Sequence, residues 1–451
     1  MTKTVSRTAK YQKLADMLQR EIELGQLDPG QKLPPVRDMA HQMQVTPGTV
    51  ARAYRVLIDD GYLEASVGQG TYVKQLRASV LPPDDAPLYL RSPRLPDVGQ
   101  VDLIRRGFRD FSEQAGFHDM MAYPTRAETT TLQQAYLNWL KYVPLGRCGP
   151  EDVVISHGGQ QASVAILQFL VSKRDINAIA VDHLSYPGFR DMASVANADI
   201  YSVEWDQDGP LPLHFETLIR NHRIGAFFTS AEVNNPTTQS TTNVRRKELV
   251  DIARRYGVAI VEDDCYRAGP YDGVSYRALY PENGFYVTSF SKSISPALRV
   301  GCALCPDGLA HDLRQVGFAN SLGISWALIY VANYVLRPPK INEIHDRVRH
   351  EVRNYVTETI NRLGKFDVHW QADVPIIWLN LPDGWCTTAF CQAAEQAGVL
   401  VSACEQFATR HTTAPHAVRL CENSEYGLNL YLDGISTLAE LVRNPDRSSE
   451  I

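Results

Sequence analysis

Two hydrophobic patterns divide the chain. Over the first 75 residues apolar positions recur at helical spacing. Tyr11, Leu14, Ala15, Leu18 and Ile22 share one face of a helix predicted over 11–24, which Gly25 and Asp28-Pro29-Gly30 end. Leu33 to Met43 predicts a second helix with proline in its first turn. Thr46 caps a third, with Pro47 at its first position and Val50, Ala53, Tyr54, Leu57 and Ile58 on one face. Gly61 closes it. Two helices joined by a tight turn fit a helix-turn-helix. Tyr62–Ala65 and Thr71–Val73, on either side of Ser66-Val-Gly-Gln-Gly70, read as a hairpin, or wing.

From about residue 98 the pattern changes. Short apolar runs end in polar turns near residues 155, 182, 229, 262 and 289 and alternate with helical stretches. This predicts a largely parallel sheet with helices on both faces. Residues 323–362 read as long connecting helices. Between the two regions, residues 76–97 carry five prolines and read as a stiff, extended linker. The division is therefore a head at 1–75, a linker at 76–97 and a body at 98–451.

A chain of 451 residues is too long for one core. Its 44% hydrophobic and 21% charged residues are ordinary for a globular protein. With no apolar run of membrane-spanning length, and a start, Met-Thr-Lys-Thr-Val-Ser-Arg, that lacks a signal core, the expectation is a cytoplasmic protein without membrane contact. Eight scattered cysteines point to reduced thiols and to no metal site. The net charge of −6 argues against nucleic acid, but its distribution does not: residues 1–75 hold ten Lys/Arg against eight Asp/Glu. Lys3, Arg7, Lys10 and Lys13 form a basic arm.

The chemistry concentrates in Tyr286-Val-Thr-Ser-Phe-Ser-Lys292-Ser-Ile-Ser-Pro-Ala-Leu-Arg299. A buried strand runs into a lysine flanked by hydroxyls, with an arginine seven residues on. Such a lysine can form a Schiff base with an aldehyde cofactor. Ser289, Ser291 and Arg299 can hold that cofactor's phosphate. Taken alone, Ser-Lys is an ordinary surface pair. The preceding strand, Val258-Ala-Ile-Val-Glu-Asp263, changes its weight. Asp263 stands at a strand end, where ligands sit in open α/β sheets, and can pair with a protonated pyridine nitrogen. Tyr266 can hydrogen-bond the ring's phenolic oxygen.

With Asn235-Pro236-Thr237 further back, these stretches resemble the fold-type I pyridoxal 5'-phosphate (PLP) aminotransferases. The resemblance implies that Asn235 donates to the phenolic oxygen and that Tyr186 stacks on the ring. Gly158-Gly159-Gln160-Gln161 is a strand-to-helix turn whose N–H groups can cradle phosphate, and the family motif points to Gly159 and Gln160. Tyr123 would reach the partner subunit's cofactor, although the glycine usual after Pro124 is missing. Arg419, in Ala417-Val-Arg-Leu-Cys, would grip a substrate carboxylate, and residues 367–445 would form the small C-terminal subdomain. Thr238 replaces the glycine of the usual Asn-Pro-Thr-Gly turn.

The head resembles the GntR winged-helix repressors in Leu33-Pro-Pro-Val-Arg-Asp-Met-Ala, Thr49-Val-Ala-Arg-Ala-Tyr and Gly68-Gln-Gly-Thr-Tyr-Val. That resemblance implies DNA contacts from Arg37, Thr46, Thr49, Arg52 and Gly70. Pro47 and Gly48 stand where relatives often carry arginine, so part of the base readout differs. A GntR-like head on an aminotransferase-like body is the architecture of the MocR family. It implies a PLP-dependent regulator that binds operator DNA as a head-to-tail homodimer and senses an amine or amino acid at Lys292. A working aminotransferase carrying a DNA-binding head, and PLP itself as the signal, stay open. So do the effector, the operator and the sign of regulation.

Overall fold

The computed structural model describes residues 10–23, 27, 30–59, 62–66, 70–74, 86–116, 120–124, 126–410 and 412–444. Lys3 and Arg7 of the basic arm, Gly61, the hairpin tip at 67–69 and linker residues 76–85 lie outside them. The chain forms two compact units, one up to Asp85 and one from Ala86.

In the first unit, helices α1 (Lys10–Glu23), α2 (Val36–Gln42) and α3 (Pro47–Asp59) pack on an antiparallel hairpin of β1 (Leu63–Ser66) and β2 (Gly70–Val73). The apolar faces meet in one core that includes Leu14, Leu18, Met39, Val50, Ala53, Leu57, Leu63 and Val73. Burying side chains of this size contributes about 1.5–3 kcal/mol each. Pro34 and Pro35 precede α2 instead of occupying its first turn, and the Pro34 carbonyl accepts a hydrogen bond from the Tyr54 hydroxyl at 2.9 Å. Residues 30–33 pair with the wing, through Leu33 N to Thr71 O at 2.8 Å and Val73 N to Gln31 O at 2.8 Å.

The second unit opens with β3 (Leu88–Tyr89) and helices α4 (Gln100–Gln114) and α5 (Arg126–Trp139). Its main sheet consists of β4 (Val153–Ser156), β5 (Ala178–Asp182), β6 (Asp199–Val203), β7 (Ala226–Thr229), β8 (Ala259–Asp263), β9 (Gly284–Ser289) and β10 (Gly301–Leu304). In space the order is β4-β10-β9-β8-β7-β5-β6, with β10 antiparallel to both neighbours and the other pairings parallel. Most of these strands are buried throughout, because helices cover both faces. Strand alternation also separates Cys302 from Cys305. These two form a Cys-x-x-Cys sequence, yet they enter cores on opposite faces of the sheet as free thiols.

A long helix, Lys340–Leu363, leads to the small subdomain. There an antiparallel sheet runs in the order Val368–Trp370, Ile376–Asn380, Ala417–Cys421, Ser402–Ala403, backed by the helix Gly427–Arg443. Residues 86–97, which read as linker in the sequence, lie on this second unit, and β3 pairs in parallel with Val399–Leu400. Among the described residues no helix is long and apolar enough to cross a membrane, and no group of three His, Cys, Asp or Glu could hold a metal ion.

Candidate functional site

The C-terminal ends of β7, β8 and β9 open on a cavity of about 440 Å³. Gly159, Gln160, Tyr186, Asn235, Asp263, Tyr266, Ser289, Ser291, Lys292, Arg299 and Arg419 all line it. They come from turns far apart in sequence, brought together by the parallel sheet and closed over by the small subdomain.

Each is set by a local device. Lys292 ends a short 3-10 turn whose anchor is Phe290, fully buried and stacked on Tyr136 at 5.7 Å. Its amine lies 6.0 Å from the centre of the Tyr266 ring. Burial lowers the Lys292 pKa, and the Arg419 and Arg299 guanidiniums lower it further. Asp263 faces the cavity and accepts from Cys265 N at 3.0 Å. Loss of solvent raises its pKa to about 6. Its neighbours Glu262 and Asp264 are fully committed elsewhere. Asp264 accepts from Arg267 at 2.7 Å and from the Tyr286 hydroxyl, while Glu262 accepts from the Tyr271 hydroxyl and from Tyr276 N at 2.8 Å.

Asn235 is presented by a turn that Asn234 stitches together, donating to Asp182 Oδ2 at 3.3 Å and the Leu184 carbonyl at 3.1 Å. Asp182 is buried and also accepts from Thr229 Oγ1 at 2.8 Å and Ser230 N at 3.0 Å. Thr238, which stands in place of the glycine, adopts the left-handed conformation that glycine takes most easily, with φ 62°. Arg419 Nη1 donates to Asn235 Oδ1 at 2.7 Å, and its guanidinium lies 4.7 Å from the Phe407 ring centre. At the glycine turn, Gly158 has φ 82°, and the Arg299 guanidinium sits 3.5 Å from where a Cβ on Gly158 would stand. A Cβ on Gly159 would collide with Cys265 Sγ. The two glycines thus let the Arg299 guanidinium and Cys265 pack closely against the start of helix α6 (Gly158–Arg174), whose first N–H groups are the kind that bind anions.

Tyr123 stands apart from this cavity. It is 71% exposed and borders a separate apolar hollow with Met120, Phe111 and Trp326. A larger cleft of about 810 Å³ lies near Thr238 and Asp373, but its charged groups Arg246, Glu232 and Asp373 are already paired. Sequence reasoning missed further walls of the cavity, among them Tyr89, Arg91, Ser92, Ser402, Gln406 and Phe407. They belong to no local motif, and only the tertiary fold brings them there.

In the head, Arg37, Thr46 and Arg52 are exposed. Thr46 Oγ1 caps α3 by accepting from Thr49 N at 3.3 Å and lies 2.9 Å from the Thr49 hydroxyl. Arg52 of α3 lies over the Tyr11 ring of α1 at 4.1 Å, which holds its side chain against α1. Gly70 has φ 117°, and a Cβ there would meet Lys32 Cε at 2.8 Å. Lys32, another cation beside the wing, gave no signal in the sequence.

Residues 97–425 match the family of class I and II aminotransferases. The chain belongs to that family. Residues 10–73 match the gntR family of bacterial regulatory proteins, so a GntR-type head is fused to the aminotransferase-type body. The same combination extends to whole relatives. The uncharacterized HTH-type transcriptional regulator YdeF of Bacillus subtilis (strain 168) is 25% identical over 442 residues, covering 96% of this chain and 94% of that protein. The probable rhizopine catabolism regulatory protein MocR of Rhizobium meliloti is 25% identical over 337 residues, covering 68% and 67%. Among solved structures, LysN, the alpha-aminoadipate aminotransferase of Thermus thermophilus complexed with N-(5'-phosphopyridoxyl)-L-leucine, superposes with a TM-score of 0.68 at 20% identity, covering 80% of this chain and 92% of that one. That likeness is one of fold.

Proposed function

We propose that the protein is a PLP-dependent transcriptional regulator that binds operator DNA through its head and takes a small amine or amino acid at Lys292. One observation carries this reading: Lys292, Asp263 and Arg419 meet in one cavity of a chain that also bears a GntR-type head. The cavity suits the cofactor. Asn235 Nδ2 and Ser291 Oγ are buried without partners, and the Arg299 guanidinium packs beside the glycine turn that starts the helix.

In this reading Ser289, Ser291, Arg299 and the N–H groups of Gly159 and Gln160 hold the phosphate. Asp263 would pair with the ring nitrogen, Asn235 and Tyr266 would hydrogen-bond the phenolic oxygen, and Tyr186 would stack on the ring. Bound there, PLP supplies an electrophilic carbon for amines and an electron sink. The lowered pKa of Lys292 keeps more of its amine neutral, the form that can take a proton at Nζ. Arg419 selects an effector with a carboxylate. A homodimer is part of the proposal: the exposed Tyr123 and its apolar surroundings offer a face for a second copy.

The complete set of Lys292, Asp263, Tyr266 and Arg419 also favours a second reading, a working aminotransferase. One experiment separates the two. PLP-loaded protein is mixed with each proteinogenic amino acid while visible absorbance, keto-acid release and binding to DNA from upstream of its own coding sequence are followed. Altered DNA binding without steady keto-acid release is the expected result. Steady release with unchanged DNA binding contradicts the regulator reading.

A further inference from the structure

Residues 88–94, near the start of the second unit, form a strap sewn to the small subdomain. Leu88 N donates to Gly398 O at 2.7 Å, Leu90 N to Leu400 O at 2.8 Å and Arg94 N to Glu422 O at 3.0 Å. Cys421 N donates back to Leu90 O at 2.9 Å. The strap therefore follows the small subdomain, and it is covalently continuous with the linker toward the head. It also walls the cavity through Tyr89, Arg91 and Ser92.

Arg419 ties the strap to the cavity. Its Nη2 donates to the Arg91 carbonyl at 2.6 Å and has a long contact of 3.5 Å with the Ser402 hydroxyl. A guanidinium offers two edges that can hold a carboxylate through two parallel N–H bonds, Nε with Nη2 and Nη1 with Nη2. Both edges include Nη2, the nitrogen that serves the Arg91 carbonyl. A carboxylate also brings a full charge against the carbonyl's partial one, so it is the stronger acceptor.

We propose that the Arg91 carbonyl and an effector carboxylate compete for Arg419, so that the strap carries the state of the pocket to the chain leading to the head. This rests on the reading of the cavity as an effector site. It names the regulated element as the strap and the effector as a carboxylate-bearing amine. An amine without a carboxylate would reach Lys292 and leave the strap in place.

Hydrogen–deuterium exchange of the full-length protein, read on peptides covering 88–94, tests the inference with two probes. Sodium acetate supplies the carboxylate alone and methylamine the amine alone. Acetate should raise exchange of the Leu88, Leu90 and Arg94 amides about tenfold in PLP-loaded protein. Methylamine should shift the cofactor's absorption and leave those amides unchanged. Arg419→Met should raise the same exchange without acetate and abolish the acetate response. Two results each overturn the proposal: strap exchange in Arg419→Met at the wild-type rate, or strap exchange untouched by acetate at a concentration that alters the cofactor spectrum. The acetate arm needs no variant to fold, and the Arg419→Met comparison can be made without cofactor. Failure of added PLP to give any visible band counts against the reading of the cavity and not against the strap.

Discussion

Arg419 and Asn235 are joined by a 2.7 Å hydrogen bond from Nη1 to Oδ1, and Asn235 Nδ2 is left buried without a partner. In the proposed reading the amide would couple the carboxylate end of the cavity to the cofactor end. Asn235→Ala removes the bond to Arg419 and the unpartnered donor proposed to face the cofactor. It should weaken PLP binding by about 1–3 kcal/mol, or roughly fivefold to 150-fold, measured by titrating PLP against visible absorbance. Unchanged affinity would mean that this amide does not face the cofactor.

Asp263 and Asp264 are adjacent in sequence and opposite in role. Asp264 neutralises Arg267, whose side chain is only 14% exposed. Asp264→Ala leaves that charge buried and unpaired, and should cost about 3–5 kcal/mol of stability. Asp263→Ala should fold normally and lose PLP affinity instead. Thermal denaturation and PLP titration of both variants would separate the two effects.

Glu422 is 2% exposed, and neither of its carboxylate oxygens has a partner. Burial, reinforced by Glu351, raises its pKa from 4.5 to about 8. Tyr355, Tyr431 and Cys421 are its other titratable neighbours. The folded state holds this proton where the unfolded state has lost it, so stability falls as pH rises from about 4.5 to about 8. The loss is on the order of a few kcal/mol. Glu422→Gln should flatten that part of the curve of melting temperature against pH. An unchanged slope in the variant would remove Glu422 as its source.

In the head, Arg52→Ala and Arg37→Ala should both weaken DNA binding, with different signatures. Arg52 lies on α3, and a base-edge contact from it would be worth roughly 1–3 kcal/mol and carry specificity. A phosphate contact from Arg37 should instead lower the salt slope by about 1. Binding isotherms at several salt concentrations, on specific and scrambled DNA, distinguish them. Unchanged affinity in both variants would reject these contacts.

Much of this was legible in the sequence, because motifs at strand ends are local. The apolar runs that end at Asp263 and Ser289 form buried parallel strands, so the residues after them converge on one cavity. The departure at Thr238 was visible, but its outcome was not. Whether a threonine abandons a glycine's turn or adopts φ 62° depends on what surrounds it, here a site 3% exposed with a backbone bond from Thr238 N to Asn234 O. The strap was hidden for a different reason. Proline in 76–97 signals an extended chain, and an extended chain can hang free or pair as a strand. Only the partner strand Val399–Leu400, some three hundred residues on, decides the case for Leu88 and Tyr89. Asp182, which holds the Asn234 turn, looked like any strand-end acid.

The central claim is that Lys292 carries the cofactor. Purified protein should be incubated with PLP, reduced with borohydride, digested and mapped by mass spectrometry. The account predicts a visible absorption band before reduction and a phosphopyridoxyl group on the peptide containing Lys292, both lost in Lys292→Ala. A modification on another lysine, or no band with added PLP, would contradict it.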